Sequence, residues 1–269
     1  MKKLMFVAAA LAAAVGLTGC ASCKTCCCAT KNAPLPKYEN KDFYIGGTFD
    51  ADGINQGGKF DAAKATQAYF DMFKRFGYPV YPALKDASLT KPGLGFWAVD
   101  FMKGDFMHYG MAGVIWVDEI KEEYFGHDIY LLPGQSIAEH SHVAGHVKEK
   151  DRWTGQVFDK DIPPKMESWL VRHGWVYGFS DVGEPNLDKF PEAKAQLSKL
   201  LTKVDPKTGK ALLKSVHVEK WTADGVAHKL PRTCGWHFMM GGTEGAIVSE
   251  FANFHDGNCN RYTVSGVGF

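Results

Sequence analysis

Tyr130-Leu-Leu-Pro-Gly-Gln-Ser136 runs through Ile137 and Ala138 into Glu139-His-Ser-His142. The apolar run Asp128-Ile-Tyr-Leu-Leu132 reads as a strand, and Pro133-Gly134 as the turn that closes it. His140 and His142 follow with one residue between them. In an extended chain alternate residues share a face, so both imidazoles project to the same side. Two nitrogen donors aimed into one barrel are a natural start for a metal site. A lone His-x-His pair is a weak signal, so its surroundings decide the reading.

Gly134 precedes His140 by six positions, Glu167 precedes Gly174 by seven, and His237 follows Pro231 and Gly235 just before an apolar stretch. From Phe96 onward the chain is a succession of short apolar runs separated by turns. Met111–Val117 is one, and Trp169–Arg172 with Trp175–Phe179 predict a hairpin around Gly174. Ser215–Trp221 and the closing Ala246–Phe251 are two more. Helical spacing is confined to Asp61–Phe76, stopped by Gly77, and to Phe190–Val204. Pro79, Pro82 and Pro92 break the chain between the first helix and Phe96, and Lys148–Pro164 reads as an inserted polar loop. Short strands with few helices predict an all-β fold closed into a small barrel or jelly roll, which removes exposed strand edges. No internal repeat and no linker divides residues 42–269.

Two or three histidines with one carboxylate suit Mn²⁺, Fe²⁺, Ni²⁺, Co²⁺ or Zn²⁺. Four such ligands leave open positions for water or for two neighbouring substrate oxygens. The alternative is a barrel whose buried histidines are hydrogen-bonded and hold no metal.

Gly134, His140, His142, Glu167 and Gly174 resemble the first motif of the cupin superfamily, and Pro231, Gly235 and His237 resemble its second. The fold implied is the cupin double-stranded β-helix with a few peripheral helices. The likeness is more specific than that. Tyr69-Phe-Asp-Met-Phe-Lys-Arg-Phe-Gly77, Val99-Asp-Phe, Glu167-Ser-Trp-Leu-Val-Arg172, Trp236-His-Phe and Glu244-Gly-Ala-Ile-Val-Ser-Glu-Phe251 are similar to D-lyxose isomerase-like cupins. These segments cover most of residues 60–262 in the right order. By that resemblance His140, His142, Glu167 and His237 are the metal ligands, the metal is Mn²⁺ or a similar ion, and the reaction interconverts an aldose and a ketose. The mechanism implied is metal-assisted proton transfer between C2 and C1 by a side-chain base. Glu250, on a strand after His237, and His127, on the strand leading into Pro133, are the candidates. The chain departs from the family in carrying His127 where those isomerases have lysine, and in its longer gap between His142 and Glu167. Cupins often pair edge to edge, so a homodimer is the expected assembly.

The N-terminus predicts a destination. Lys2 and Lys3 precede an apolar stretch, Leu4–Val15, and then Leu17-Thr18-Gly19-Cys20. Residues 1–19 read as a bacterial lipoprotein signal, with Cys20 lipidated and anchoring the protein to a membrane, on an outer-membrane reading of Ala21. Residues 20–41 hold Cys23, Cys26, Cys27 and Cys28 with Pro34 and Pro36, and read as a flexible tether ahead of a barrel domain at 42–269. Cys234 and Cys259 stand apart, and their pairing is open. With a formal net charge of +1, nothing points to nucleic acid. Three function classes stay open on these residues: a metal-dependent sugar isomerase, a tethered carbohydrate-binding cupin without turnover, and another cupin enzyme such as a uronate-handling lyase or an Fe²⁺ dioxygenase. Trp153, Trp169, Trp175, Trp221 and Trp236 are either barrel core or stacking surfaces for sugar.

Overall fold

The computed structural model describes residues 34–81, 84, 95–151, 154–254 and 256–268. The expected signal, Cys20, the cluster of Cys23, Cys26, Cys27 and Cys28, and also Pro82, Pro92 and Trp153 lie outside the described residues.

Four two-residue strands, β1 (Tyr44–Ile45), β2 (Thr48–Phe49), β3 (Asn55–Gln56) and β4 (Lys59–Phe60), lead into α1 (Ala62–Phe76). The helix starts where the Asp61 side chain accepts from Lys64 N, and ends at Gly77, which takes the left-handed conformation at φ 67°. Ala65, Ala68, Tyr69, Met72 and Phe73 recur every third or fourth residue and are all buried. Full burial of each large side chain contributes roughly 1.5–3 kcal/mol.

Next come β5 (Phe96–Asp100), α2 (Phe106–Tyr109), β6 (Gly110–Glu119), β7 (Tyr124–Leu131) and β8 (His140–His142). Then follow β9 (Gly145–Lys150), β10 (Val157–Ile162), β11 (Glu167–Ser180), α3 (Pro191–Gln196) and α4 (Ser198–Leu201). The chain closes with β12 (His217–Thr222), β13 (Ala227–Lys229), β14 (His237–Asn253) and β15 (Asn260–Tyr262). The main sheet runs β12-β11-β14-β7-β6-β5, every neighbour antiparallel, with β13 on β11, and β8 between β14 and β15. It curls into the half-barrel of a cupin-type fold.

Alternation along the strands sorts side chains between two cores. Ile129 and Leu131 of β7 pack inside with Trp169, Val171, Phe179, Phe238 and Val248. Their neighbours Tyr130 and Leu132 pack on the other face with Tyr69, Met72 and Phe73 of α1. One hydrogen-bonded residue ties that helix to the turn preceding the histidines. The buried Gln135 side chain accepts from Tyr69 Oη at 2.6 Å and Leu132 N at 3.0 Å, and donates to Phe106 O at 3.0 Å.

Several readings need correction or refinement. Trp169–Arg172 and Trp175–Phe179 are not a hairpin but one strand, β11, paired with β14 along its length. Gly174, at φ 68°, absorbs a register shift, because a Cβ there would collide with the carbonyl oxygen of Gly245. Lys148–Pro164 is not a plain polar loop. Most of it belongs to the β9–β10 hairpin, which packs Val147 and Ile162 against Ile120, Phe254 and Cys259. Phe190–Val204 is broken at Leu197 into α3 and α4 rather than forming one helix. Cys234 and Cys259 are both free thiols. The packed chain also reaches back into the stretch read as tether, since Asn40 is buried and its amide donates to Asp105 Oδ1 at 2.7 Å.

Candidate functional site

Strand β8 is only three residues long, yet its pairing fixes the site. His140 lies opposite His237 of β14 and Tyr262 of β15, and His142 lies opposite Asn260. Both imidazoles share one face, as alternation requires. Their centroids are 4.8 Å apart, and the His237 ring is 4.4 Å from His140 and 5.4 Å from His142. One ring nitrogen from each of the three lies within 4.8 Å of the others.

What orients the rings is the second nitrogen. Nδ1 of His140 is 2.8 Å from Ala138 O, that of His237 is 2.9 Å from Gly235 O, and that of His142 is 2.7 Å from Asn260 Oδ1. A ring that donates from Nδ1 to a carbonyl presents a bare lone pair at Nε2, the form a metal ligand needs. Glu167 stands against two of them, with Oε1 2.9 Å from His142 Nε2 and Oε2 2.8 Å from His237 Nε2. His237 Nε2 and Glu167 Oε2 are buried, and their contact lacks hydrogen-bond geometry. A buried ring nitrogen facing a buried carboxylate oxygen needs a positive charge between them, which a proton or a metal ion supplies. The three imidazoles are placed so that they could share a divalent transition ion, and Glu167 stands beside two of them as a candidate fourth donor.

Glu250 and His127 face each other across β14 and β7, and His127 Nε2 lies 3.1 Å from Glu250 Oε2. Two more groups complete this side, of which the sequence reading passed over Lys165 and took Trp169 for core or a sugar-stacking surface. Buried Lys165 places Nζ 2.6 Å from Glu167 Oε1 and also donates to Glu250. Trp169 donates its indole N–H to Glu250 Oε2 at 3.2 Å. Lys165 stands two residues before Glu167, just ahead of β11, and that spacing was the only signal available for it.

Protonation follows from burial and from these partners. Burial, and then the charges of His237 and His142, hold His140 well below the usual histidine range. Burial lowers His142 as well. For His237 burial works in the same direction but is outweighed by Glu167, so its value is raised. Burial alone would neutralise Glu167, but Lys165, His142 and His237 overcome it and hold the carboxyl well below its ordinary value. Glu250 is lowered too: burial and the Glu167 charge push it up, and Lys165 with His127 prevail. Lys165, in turn, resists burial because two carboxylates flank it, and its value is raised. The result is two ionised carboxylates around one ammonium.

A cavity of about 320 Å³ opens onto this group and is lined by His127, His140, His142, Lys165, Glu167 and Glu250 among others. That volume falls within the range of small-molecule sites. The structure thus brings together His140, His142, Glu167, His237, Glu250 and His127, which lie in separate stretches of sequence. Of the tryptophans, Trp169 and Trp221 are buried and stacked on each other at 5.5 Å, so they are core.

No family model matches the chain. Among curated proteins it is 26% identical over 190 residues to a D-lyxose/D-mannose isomerase of Thermosediminibacter oceani, covering 68% of this chain and 86% of that protein. Solved structures with a similar course include the L-ribose isomerase of Cellulomonas parahominis, at 12% identity and TM-score 0.46 over 77% of this chain and 92% of that one. An L-ribose isomerase variant from an Acinetobacter species, in complex with L-ribose, gives 11% and 0.43 over 77% and 90%. An RmlC-like cupin from Shewanella frigidimarina gives 9% and 0.28 over 55% and 79%.

Proposed function

We propose that this protein is a metal-dependent aldose–ketose isomerase acting on a free pentose or hexose of the D-lyxose/D-xylulose kind. One observation carries the reading: an ionised carboxylate, Glu250, is held by Lys165, Trp169 and His127 beside a buried three-histidine, one-carboxylate ligand set. The similarity to a curated D-lyxose/D-mannose isomerase supports it.

His140, His142, His237 and Glu167 would hold the ion, Mn²⁺ by the family resemblance. When bound, such an ion supplies Lewis-acid polarisation of the sugar's carbonyl and neighbouring hydroxyl oxygens. Glu250 takes the proton from C2 of the open-chain aldose and returns it to C1, while the hydroxyl proton moves from O2 to O1, so substrate and product are isomers. Lys165 keeps Glu250 ionised in a buried site, the state a base requires. His127, in contact with Glu250, is placed to carry the proton between oxygens. The lysine that related isomerases have at the position of His127 is absent, but Lys165 puts an ammonium beside the same carboxylate.

The same proposal places the protein in the bacterial cell envelope, with residues 1–19 as signal and Cys20 lipidated; the sequence Leu17-Thr18-Gly19-Cys20 supports it. The test of function begins with metal content of the purified chain beside a His140→Ala/His142→Ala variant, followed by a screen of aldoses and ketoses. Stoichiometric metal lost in the variant, with turnover of one sugar pair, supports the reading. Absence of metal after supplying Mn²⁺ and Zn²⁺ overturns it. Metal-dependent sugar binding without turnover of any pair would mark a carbohydrate-binding protein instead.

A further inference from the structure

The cavity at the ligand set has two chemically different walls. Across β11, β14 and β7 one inward-facing row reads Trp169, Glu250, His127, and on β6 it ends at Ile115. The neighbouring row reads Val171, Val248, Ile129, Gly113 and, on β5, Trp97. Beyond His127 these two rows offer the cavity carbon, Ile115, Ile129 and Trp97, with Met111 beside them, while the row of Phe125 and Asp118 on the other side brings a carboxylate. Gly113 matters here, since a Cβ at that position would strike the Trp97 ring packed over it. The Trp97 indole nitrogen is itself buried, so the ring presents carbon to the cavity. Asp118, whose Oδ1 is buried, and Glu149, Asp256, Asn260 and Tyr262 line other parts of the space and make those parts polar.

We infer that the substrate is a deoxy sugar whose terminal carbon bears no hydroxyl, seated with its methyl group against Trp97, Met111, Ile115 and Ile129. This rests on the isomerase reading, which sets the reacting C1–C2 end beside Glu250 and the histidines. The tail of the sugar then extends along the sheet towards β6 and β5. A hydroxyl seated against these side chains gives up its water for carbon, whereas a methyl group gains from leaving water. A hydrophobic pocket rejects an added hydroxyl by about a hundredfold at most, so the preference is a matter of ratio rather than exclusion.

The experiment measures kcat/KM on the Mn²⁺-loaded chain for matched pairs, each 6-deoxyhexose against its parent hexose, over a panel of configurations. In parallel, calorimetry measures binding of the corresponding 6-deoxyhexitol and hexitol, which cannot react. The expected result is a preference of about tenfold or more for the deoxy member of the best pair in both measurements. Ile115→Thr, close in shape and bearing a hydroxyl, should bring that ratio towards one with metal content unchanged. Equal or better performance of the parent hexose overturns the inference and leaves the isomerase reading intact. No turnover of any pair, with tighter binding of the deoxy alditol, overturns the isomerase reading but supports the apolar subsite. No turnover and no binding preference overturns both.

Discussion

Two parts of this molecule set histidine against carboxylate, and they do opposite things with the arrangement. On the exposed β9–β10 hairpin, His146 holds Nδ1 2.8 Å from Asp161 and Nε2 2.7 Å from Asp159. Both ring nitrogens are occupied, the aspartates raise its pKa, and water surrounds the group. At the barrel centre, His140 and His237 give Nδ1 to backbone carbonyls and His142 gives its own to Asn260, so the Nε2 atoms converge beside Glu167. The first arrangement is complete with a proton. The second is buried, and its Nε2 atoms converge on one place beside a carboxylate, where a single cation could meet them together. Residue type is shared; what separates a solvated ion pair from a candidate metal site is which nitrogen is already used, and whether water can reach the other.

The sharpest break in that comparison is the His140→Ala/His142→Ala variant. Metal content, measured by elemental analysis, should fall from about one equivalent to none. A retained equivalent would show that the converging nitrogens do not hold the ion. Next in size is Glu250→Gln, which keeps the ligands and removes the base. Turnover should drop by about 10²–10⁴-fold with metal content intact. Loss of metal together with activity would instead make Glu250 part of the ligand shell.

Asn260→Ala tests the outer support of His142. Metal affinity should weaken by about 10–100-fold, read by competition with a chelator, while the barrel stays folded. Unchanged affinity would show that the ring needs no such partner.

The smallest effects belong to the hairpin. His146→Ala should leave metal content and turnover as they are. Because the pKa of His146 is raised in the folded chain, its ion pairs contribute fully below the ordinary value of 6.5 and are lost as pH rises through the folded value. Amide exchange along β9–β10, corrected for intrinsic rates, should therefore speed up across that window. The effect is modest, since the group is exposed. A flat profile would mean the pairs contribute nothing.

Much of this was legible beforehand, for reasons that can be named. Asp61 and Gly77 bracket a run with helical spacing, and α1 forms between them. A Pro-Gly turn followed by His-x-His sets two rings on one face whatever the tertiary context. Glycine 174 was misread because a positive-φ glycine serves a turn or a bulge equally well, and its partner strand decides which. The region between His142 and Glu167 looked like loop because exposed β9 and β10 carry charged side chains at half of their positions. Val147, Phe158 and Ile162 show that they have something to pack against.

Sequence by itself determined the alternation of strands, the capped helix and the placing of His140 with His142, because each depends on residues a few positions apart. Tertiary structure alone decided that Lys165 meets Glu250 across 85 positions, and that Asn260 orients His142 across 118. Those meetings depend on strand order, register and the curl of the sheet, and a one-residue slip would turn each side chain to the opposite face. The charge balance of the site follows from the same cause: a lysine and two glutamates are ordinary surface residues until the barrel closes around them.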